Sequence, residues 1–436
     1  MRLSVLMGAT LLFLAACGDE EVFLPGERLP VRGADDVGVI GSAAPAVEVP
    51  DLALPAPTRL AAWPMRVGNA VNDPGHATLS SAPRRVWSAR IGTGDSRRQR
   101  LTADPVSDGQ RLYTMDARAG VVATGLGGQT LWSRSLVPGN ERDRDASGGG
   151  LAVVEGTLFA TTGFGELHAL DPATGAERWV QRLGAPITTP KIAGGLVYVV
   201  SRDGRAWAIE AQNGRIRWEV PSTAAQSVTA TAPAPAIGGR AVFLPFGSGE
   251  IVAALPQSGI RVWGALLSGA RDGVAYSNVE DITADPVLTD GRLIAGTTAG
   301  RLIALSASSG ERDWTLAEGA VSPVSVVGGS VFAVTDRAQL IRVDAATGDV
   351  LWRQDLPFYK ARRVSRRDAI FAHYGPVLAG GRLWVASSDG VLRGFDPRSG
   401  ALQSQSDVPG GAASRPIAFG DALYVVGRRG ELHAFR

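Results

Sequence analysis

Few residues in this 436-residue chain could do chemistry: four are histidines and one is a cysteine. His76, His168, His373 and His433 are far apart, without the short spacings by which two imidazoles reach one metal ion. His168 and His433 each stand in Gly-Glu-Leu-His-Ala, and two identical contexts point to a structural place in a repeated unit. Asp203, Asp285 and Asp336 are carboxylates that could line a channel, yet each adjoins a glycine or a strand end, where aspartate serves as a turn residue. No nucleophile elbow, phosphate loop or zinc motif is present, and Gly148-Gly149-Gly150 reads as a turn. The sequence therefore predicts no catalytic residue, no metal and no cofactor. With 44 Lys and Arg against 42 Asp and Glu, there is also no basic excess to hold a nucleic acid.

Cys17 has an informative context. Arg2 and the apolar stretch from Leu3 to Ala16 have the form of a secretory signal, too short to span a bilayer, which takes about 20 residues. The stretch ends in Leu14-Ala15-Ala16-Cys17, which resembles the lipobox of bacterial lipoproteins. That resemblance implies cleavage after residue 16 and a diacylglycerol on the Cys17 thiol. Gly18, rather than aspartate, follows the cysteine, and this implies the outer rather than the inner membrane. With its thiol in lipid, the folded part has neither a disulfide nor a cysteine nucleophile. Residues 17–60 lack periodicity, and the Ala- and Pro-rich run from Gly41 to Pro57 reads as a semi-rigid tether.

From Ala82 onward the chain is built on a repeat. Its mark is an acidic or small residue, two spacers, Thr or Ser, Gly, three residues and Trp. Asp171 leads to Gly175 and Trp179, Glu210 to Gly214 and Trp218, Leu255 to Gly259 and Trp263, Ser306 to Gly310 and Trp314, and Asp344 to Gly348 and Trp352. Thr124, Gly127-Gly128 and Trp132 form a degenerate copy, and after Asp396 and Gly400 the place of Trp is taken by Ser404. A period near 40 residues signals a propeller or a solenoid. Within one copy, Leu196–Val200, Arg205–Ile209 and Ile216–Val220 are three strands joined by Asp203-Gly204 and Asn213-Gly214 turns. A short innermost strand follows each of Pro105, Pro190, Pro235, Pro286, Pro323, Pro376 and Pro416. Each sheet is apolar on both faces, so it must be flanked on both sides, and a closed ring satisfies every copy.

The last copy stops at Arg436 before its Trp-bearing strand, and Arg85-Val86-Trp87-Ser88-Ala89 supplies the missing one. The expectation is an all-β, eight-bladed propeller over residues 61–436, four antiparallel strands per blade, shut by its first and last strands.

With the repeat in view, the chain resembles the BamB family, the propeller lipoproteins of the β-barrel assembly machinery. The lipobox, the tether, eight blades and the late loss of Trp at Ser404 carry the resemblance, and Phe23-Leu24-Pro25-Gly26-Glu27-Arg28 is like the alphaproteobacterial form. The resemblance implies a non-catalytic scaffold, a monomer within a complex, that binds the periplasmic domains of the barrel-inserting subunit BamA and supports outer-membrane protein folding. It also implies a partner-binding loop at Val279-Glu280-Asp281-Ile282, with Asp281, helped by Glu280, as the contact. A second family contact near Ala225–Ala230 is not carried over, because Ala225, Ser227 and Val228 stand where relatives have leucines and an arginine. Quinoprotein dehydrogenases share a very similar repeat and give the competing reading, a pyrroloquinoline-quinone enzyme with calcium and an aspartate base. Against it, few insertions are long enough to cap such a site, and the adjacent cysteines of those enzymes are missing. A stand-alone envelope glycan binder is the third class. Two basic clusters, Arg97-Arg98 with Arg100 and Arg362-Arg363 with Arg366-Arg367, are either solvated loop charge or contacts for an acidic partner or anionic lipid.

Overall fold

The computed structural model describes residues 50–436 apart from 146–147, 226–232, 268 and 270–280. They form eight four-stranded antiparallel sheets arranged as an eight-bladed propeller. Blades 1 to 7 span residues 106–135, 149–182, 191–221, 236–266, 282–316, 325–355 and 373–407. Blade 8 takes three strands from residues 417–435 and its outermost strand from Arg85–Arg90, which pairs with Glu431–Phe435. Closure by the first and last strands is thus as the sequence predicts.

The repeat motif holds neighbouring blades together. Each Trp on an outer strand lies against the glycine turn of the next blade and donates its indole N–H to a carbonyl there. Trp132 Nε1 reaches Pro172 O at 3.0 Å, Trp179 Nε1 reaches Ala211 O at 3.1 Å, and Trp314 Nε1 reaches Ala345 O at 3.0 Å. Trp87 does the same for blades 8 and 1, with Nε1 3.0 Å from Leu126 O. Blade 7 has Ser404 in this place for a topological reason. The third and fourth strands of blade 8 come from opposite parts of the sequence, so blade 8 has no hairpin glycine on which a Trp could rest.

The segment before the first blade differs from the predicted tether. Its residues are docked from position 50 onward, with Leu52 and Trp63 each 1% exposed. It crosses the inner-hairpin end of the ring and hydrogen-bonds to every blade. Pro50 O accepts from Arg342 of blade 6, and Leu60 O from Gly420 N of blade 8. Trp63 pairs with Ser107 of blade 1, Pro64 O accepts from Val153 N of blade 2, and Asn69 O from Lys191 Nζ of blade 3. Ala70 O and Val71 O accept from Ile237 N and Leu288 N of blades 4 and 5, and Ala77 pairs with blade 7 through Leu378 O and Gly380 N. Its polar backbone is satisfied by eight different sheets, so no strand-like periodicity is required of its side chains.

Candidate functional site

The segment from residue 50 to 80 is a strap that meets the ring axis in a cluster of buried charge. Arg66 Nε lies 2.7 Å from Asp285 Oδ2 and 3.6 Å from Asp104 Oδ2. The other Asp285 oxygen accepts from Ala234 N at 2.5 Å, and Asp104 Oδ1 accepts the backbone N–H of Arg415 at 3.1 Å. Lys191 Nζ donates to Asn69 O at 2.6 Å and to Arg66 O. Burial pushes the Lys191 ammonium down to about 7, with Asp285 opposing the shift. Its two carbonyl partners suit a neutral amine, which still has two hydrogens to give. Burial likewise raises the Asp104 carboxyl and lowers the Arg415 guanidinium to about 10.

Asp285, expected as a strand-end turn residue, is therefore an interior partner of Arg66 and fully buried. Sequence reasoning missed Arg66, Asp104, Lys191 and Arg415, though a signal was present. Asp104, Asp285 and Arg415 each immediately precede the proline of an inner strand, and Lys191 immediately follows one. Inner strands line the axis of a closed ring, so charges at one repeated position on different blades converge.

On the far side of this cluster, a cavity of 340 Å³ opens at the end where outer strands connect to the next blade. Both basic clusters belong to connections that line it: 91–105 carries Arg97, Arg98 and Arg100, and 356–372 carries Arg362, Arg363, Arg366 and Arg367. Arg100 itself lines the cavity, while the other six are exposed. Arg367 lies over the Tyr359 ring at 4.8 Å.

The residues predicted for function are placed unevenly. Cys17 and Glu280 lie outside the described residues. Asp281 directly precedes the inner strand of blade 5 and is 3% exposed; burial lowers the Arg202 guanidinium, and the Asp281 charge opposes that shift. Asp281 is thus part of the packed fold. His168 and His433 have blade partners, Glu177 Oε2 at 3.0 Å and Ser88 Oγ at 2.8 Å, which gives both a structural place.

A family model described as outer membrane protein assembly factor BamB matches residues 117–354, more than half of the chain. This chain belongs to the BamB family. The BamB of Burkholderia pseudomallei (strain K96243) is 28% identical over 351 residues, which cover 72% of this chain and 88% of that relative. The crystal structure of BamB from Moraxella catarrhalis superposes with a TM-score of 0.66 at 17% identity, covering 81% of this chain and 100% of that one. A europium-containing methanol dehydrogenase superposes nearly as well, with a TM-score of 0.64 at 15% identity over 86% and 98% of the two chains. At such identities the structural likeness shows the fold alone, and BamB proteins share that fold with enzymes. Family membership rests on sequence.

Proposed function

We propose that this member of the BamB family is a non-catalytic scaffold lipoprotein of the outer-membrane protein assembly machinery. The observation that carries the reading is the sequence match to proteins named outer membrane protein assembly factor BamB, which spans most of the propeller. The dehydrogenase reading shares only the ring with its supporting structures. In this proposal residues 1–16 are a signal peptide, Cys17 is the acylated first residue, and residues from 17 to the docked strap tether the propeller to the periplasmic face of the outer membrane. The partner is a BamA-like barrel-inserting subunit, bound through its periplasmic domains. Its contact is Asp281, helped by Glu280, directly before blade 5.

Affinity capture of the full-length protein from membranes tests the reading. The barrel-inserting subunit is expected to co-purify, and Cys17→Ala should release the protein to the soluble periplasm. A co-purifying glycan without any assembly subunit, or dye-linked alcohol oxidation after reconstitution with pyrroloquinoline quinone and calcium, would overturn it.

A further inference from the structure

Among the described residues, the cavity beside the buried charge cluster is lined by Arg66, Arg100, Lys360, Arg415 and Arg428 and by two carboxylates, Asp95 and Asp104. Both carboxylates are already engaged. Asp95 lies 3.6 Å from Arg100 and 3.5 Å from Arg428, while Asp104 faces Arg66 and accepts the Arg415 backbone N–H. Asp285, behind the wall, is committed to Arg66 and Ala234.

Arg415 is the anomaly in this balance. It is 2% exposed, and its Nη2 donates to Pro376 O at 2.6 Å. Its Nε and Nη1 are buried with no hydrogen-bond partner among the described residues. Burying a guanidinium with two donors unused is costly, and a charged donor left unsatisfied costs more than a neutral one. Burial outweighs the favourable charges of Asp104 and Asp285, so the guanidinium sits there at a cost that a methionine of similar length would not incur. The side chain forms part of the cavity wall, where an anion held in the cavity offsets its charge. Apolar side chains complete the lining, among them Leu101, Val321 and Ile370, together with the Tyr374 ring. An inorganic ion would leave this apolar wall unfilled, whereas an organic acid covers it with its carbon body.

We infer that the channel cavity is a binding site for a small organic carboxylate, held by Arg415 beneath a rim of Lys360, Arg100 and Arg428. The carboxylate belongs either to a free small acid or to the C-terminus of a short peptide segment. The exposed arginines of the 91–105 and 356–372 connections extend the positive field outward and raise the local concentration of either. The strap lies across the other end of the ring, so the cavity is approached from the end that carries these arginines.

Calorimetric titration of the full-length protein in detergent, at constant ionic strength, tests this with succinate, its uncharged isostere succinamide, inorganic phosphate, and a tripeptide as free acid and as C-terminal amide. Saturable binding of succinate or of the free-acid tripeptide is expected, and whichever binds more tightly names the source of the carboxylate. Succinamide and the amidated peptide should give no binding. Arg415→Met should weaken the bound acid at least tenfold. Lys360→Gln, at a residue whose described bonds are to its backbone, should weaken it about threefold without a change in melting temperature, so the test survives if Arg415→Met does not fold. Absence of saturable binding by either acid, unchanged affinity in both variants, or phosphate binding more tightly than succinate would each overturn the assignment. Partner capture is measured separately, so failure here leaves the scaffold reading untouched.

Discussion

Gly175 lies flat against the indole of Trp132: a Cβ built on this glycine would come within 2.7 Å of the ring. The same relationship recurs between Gly214 and Trp179, Gly259 and Trp218, Gly310 and Trp263, Gly348 and Trp314, and Gly400 and Trp352. Each repeat glycine therefore has two constraints, a left-handed turn and a seat for the preceding blade's tryptophan. Gly156, also at positive φ (+68°), has nothing within 4 Å of where its Cβ would stand. Gly156→Ala is expected to cost about 1 kcal/mol from the backbone alone. Gly175→Ala should cost about 2–4 kcal/mol, because overpacking adds to the same strain. Urea denaturation of the two variants checks the difference, and equal costs would mean that the tryptophan seat contributes nothing.

Arg66 and Asp285 are buried together, so removing one leaves the other charge without its partner. Arg66→Met is expected to destabilise the propeller by about 3–5 kcal/mol. Adding Asp285→Asn should restore part of that loss, since the neutral amide still accepts the Ala234 N–H. A double-mutant cycle should give a coupling above about 1 kcal/mol. Strict additivity would show that the pair does not interact.

Lys191 makes stability depend on pH in a definite direction. Its folded value is about 7 and its ordinary one 10.5, so between them the unfolded chain holds a proton that the folded chain lacks. Stability should then rise with pH, by about 2 kcal/mol from pH 7 to 9. Lys191→Met should flatten this rise in thermal melts. Burial also lowers His373 and His433 below the usual 6.5, so both sit neutral in the fold and stability should fall as pH drops below that value.

Asp281 is buried next to the charge of Arg202, so Asp281→Arg would set two like charges together in the interior. That variant is expected to lose 2 kcal/mol or more, roughly, and is unsuitable as a probe of partner contact. Asp281→Asn keeps the shape, should stay within about 1 kcal/mol of the parent, and should reduce capture of the barrel-inserting subunit. Undiminished capture by a folded Asp281→Asn protein would place the contact elsewhere.

Blade count, strand order within a blade and the gift of Arg85–Arg90 to blade 8 were all legible in the sequence, because each depends on local patterning repeated many times. Alternating apolar runs, glycine turns and a tryptophan at fixed spacing encode one sheet, and two apolar faces per sheet demand a ring. The neighbours that the ring creates were not legible. Residues 50–80 look featureless because their hydrogen-bond partners lie in eight distant segments, and no short-range pattern can record that. Asp104, Lys191, Asp285 and Arg415 each stand alone, at or just before the inner strand of a different blade. Only closure, which turns the positions beside each inner-strand proline into radii pointing at a common axis, makes them neighbours, and burial at that axis shifts Asp104, Lys191 and Arg415.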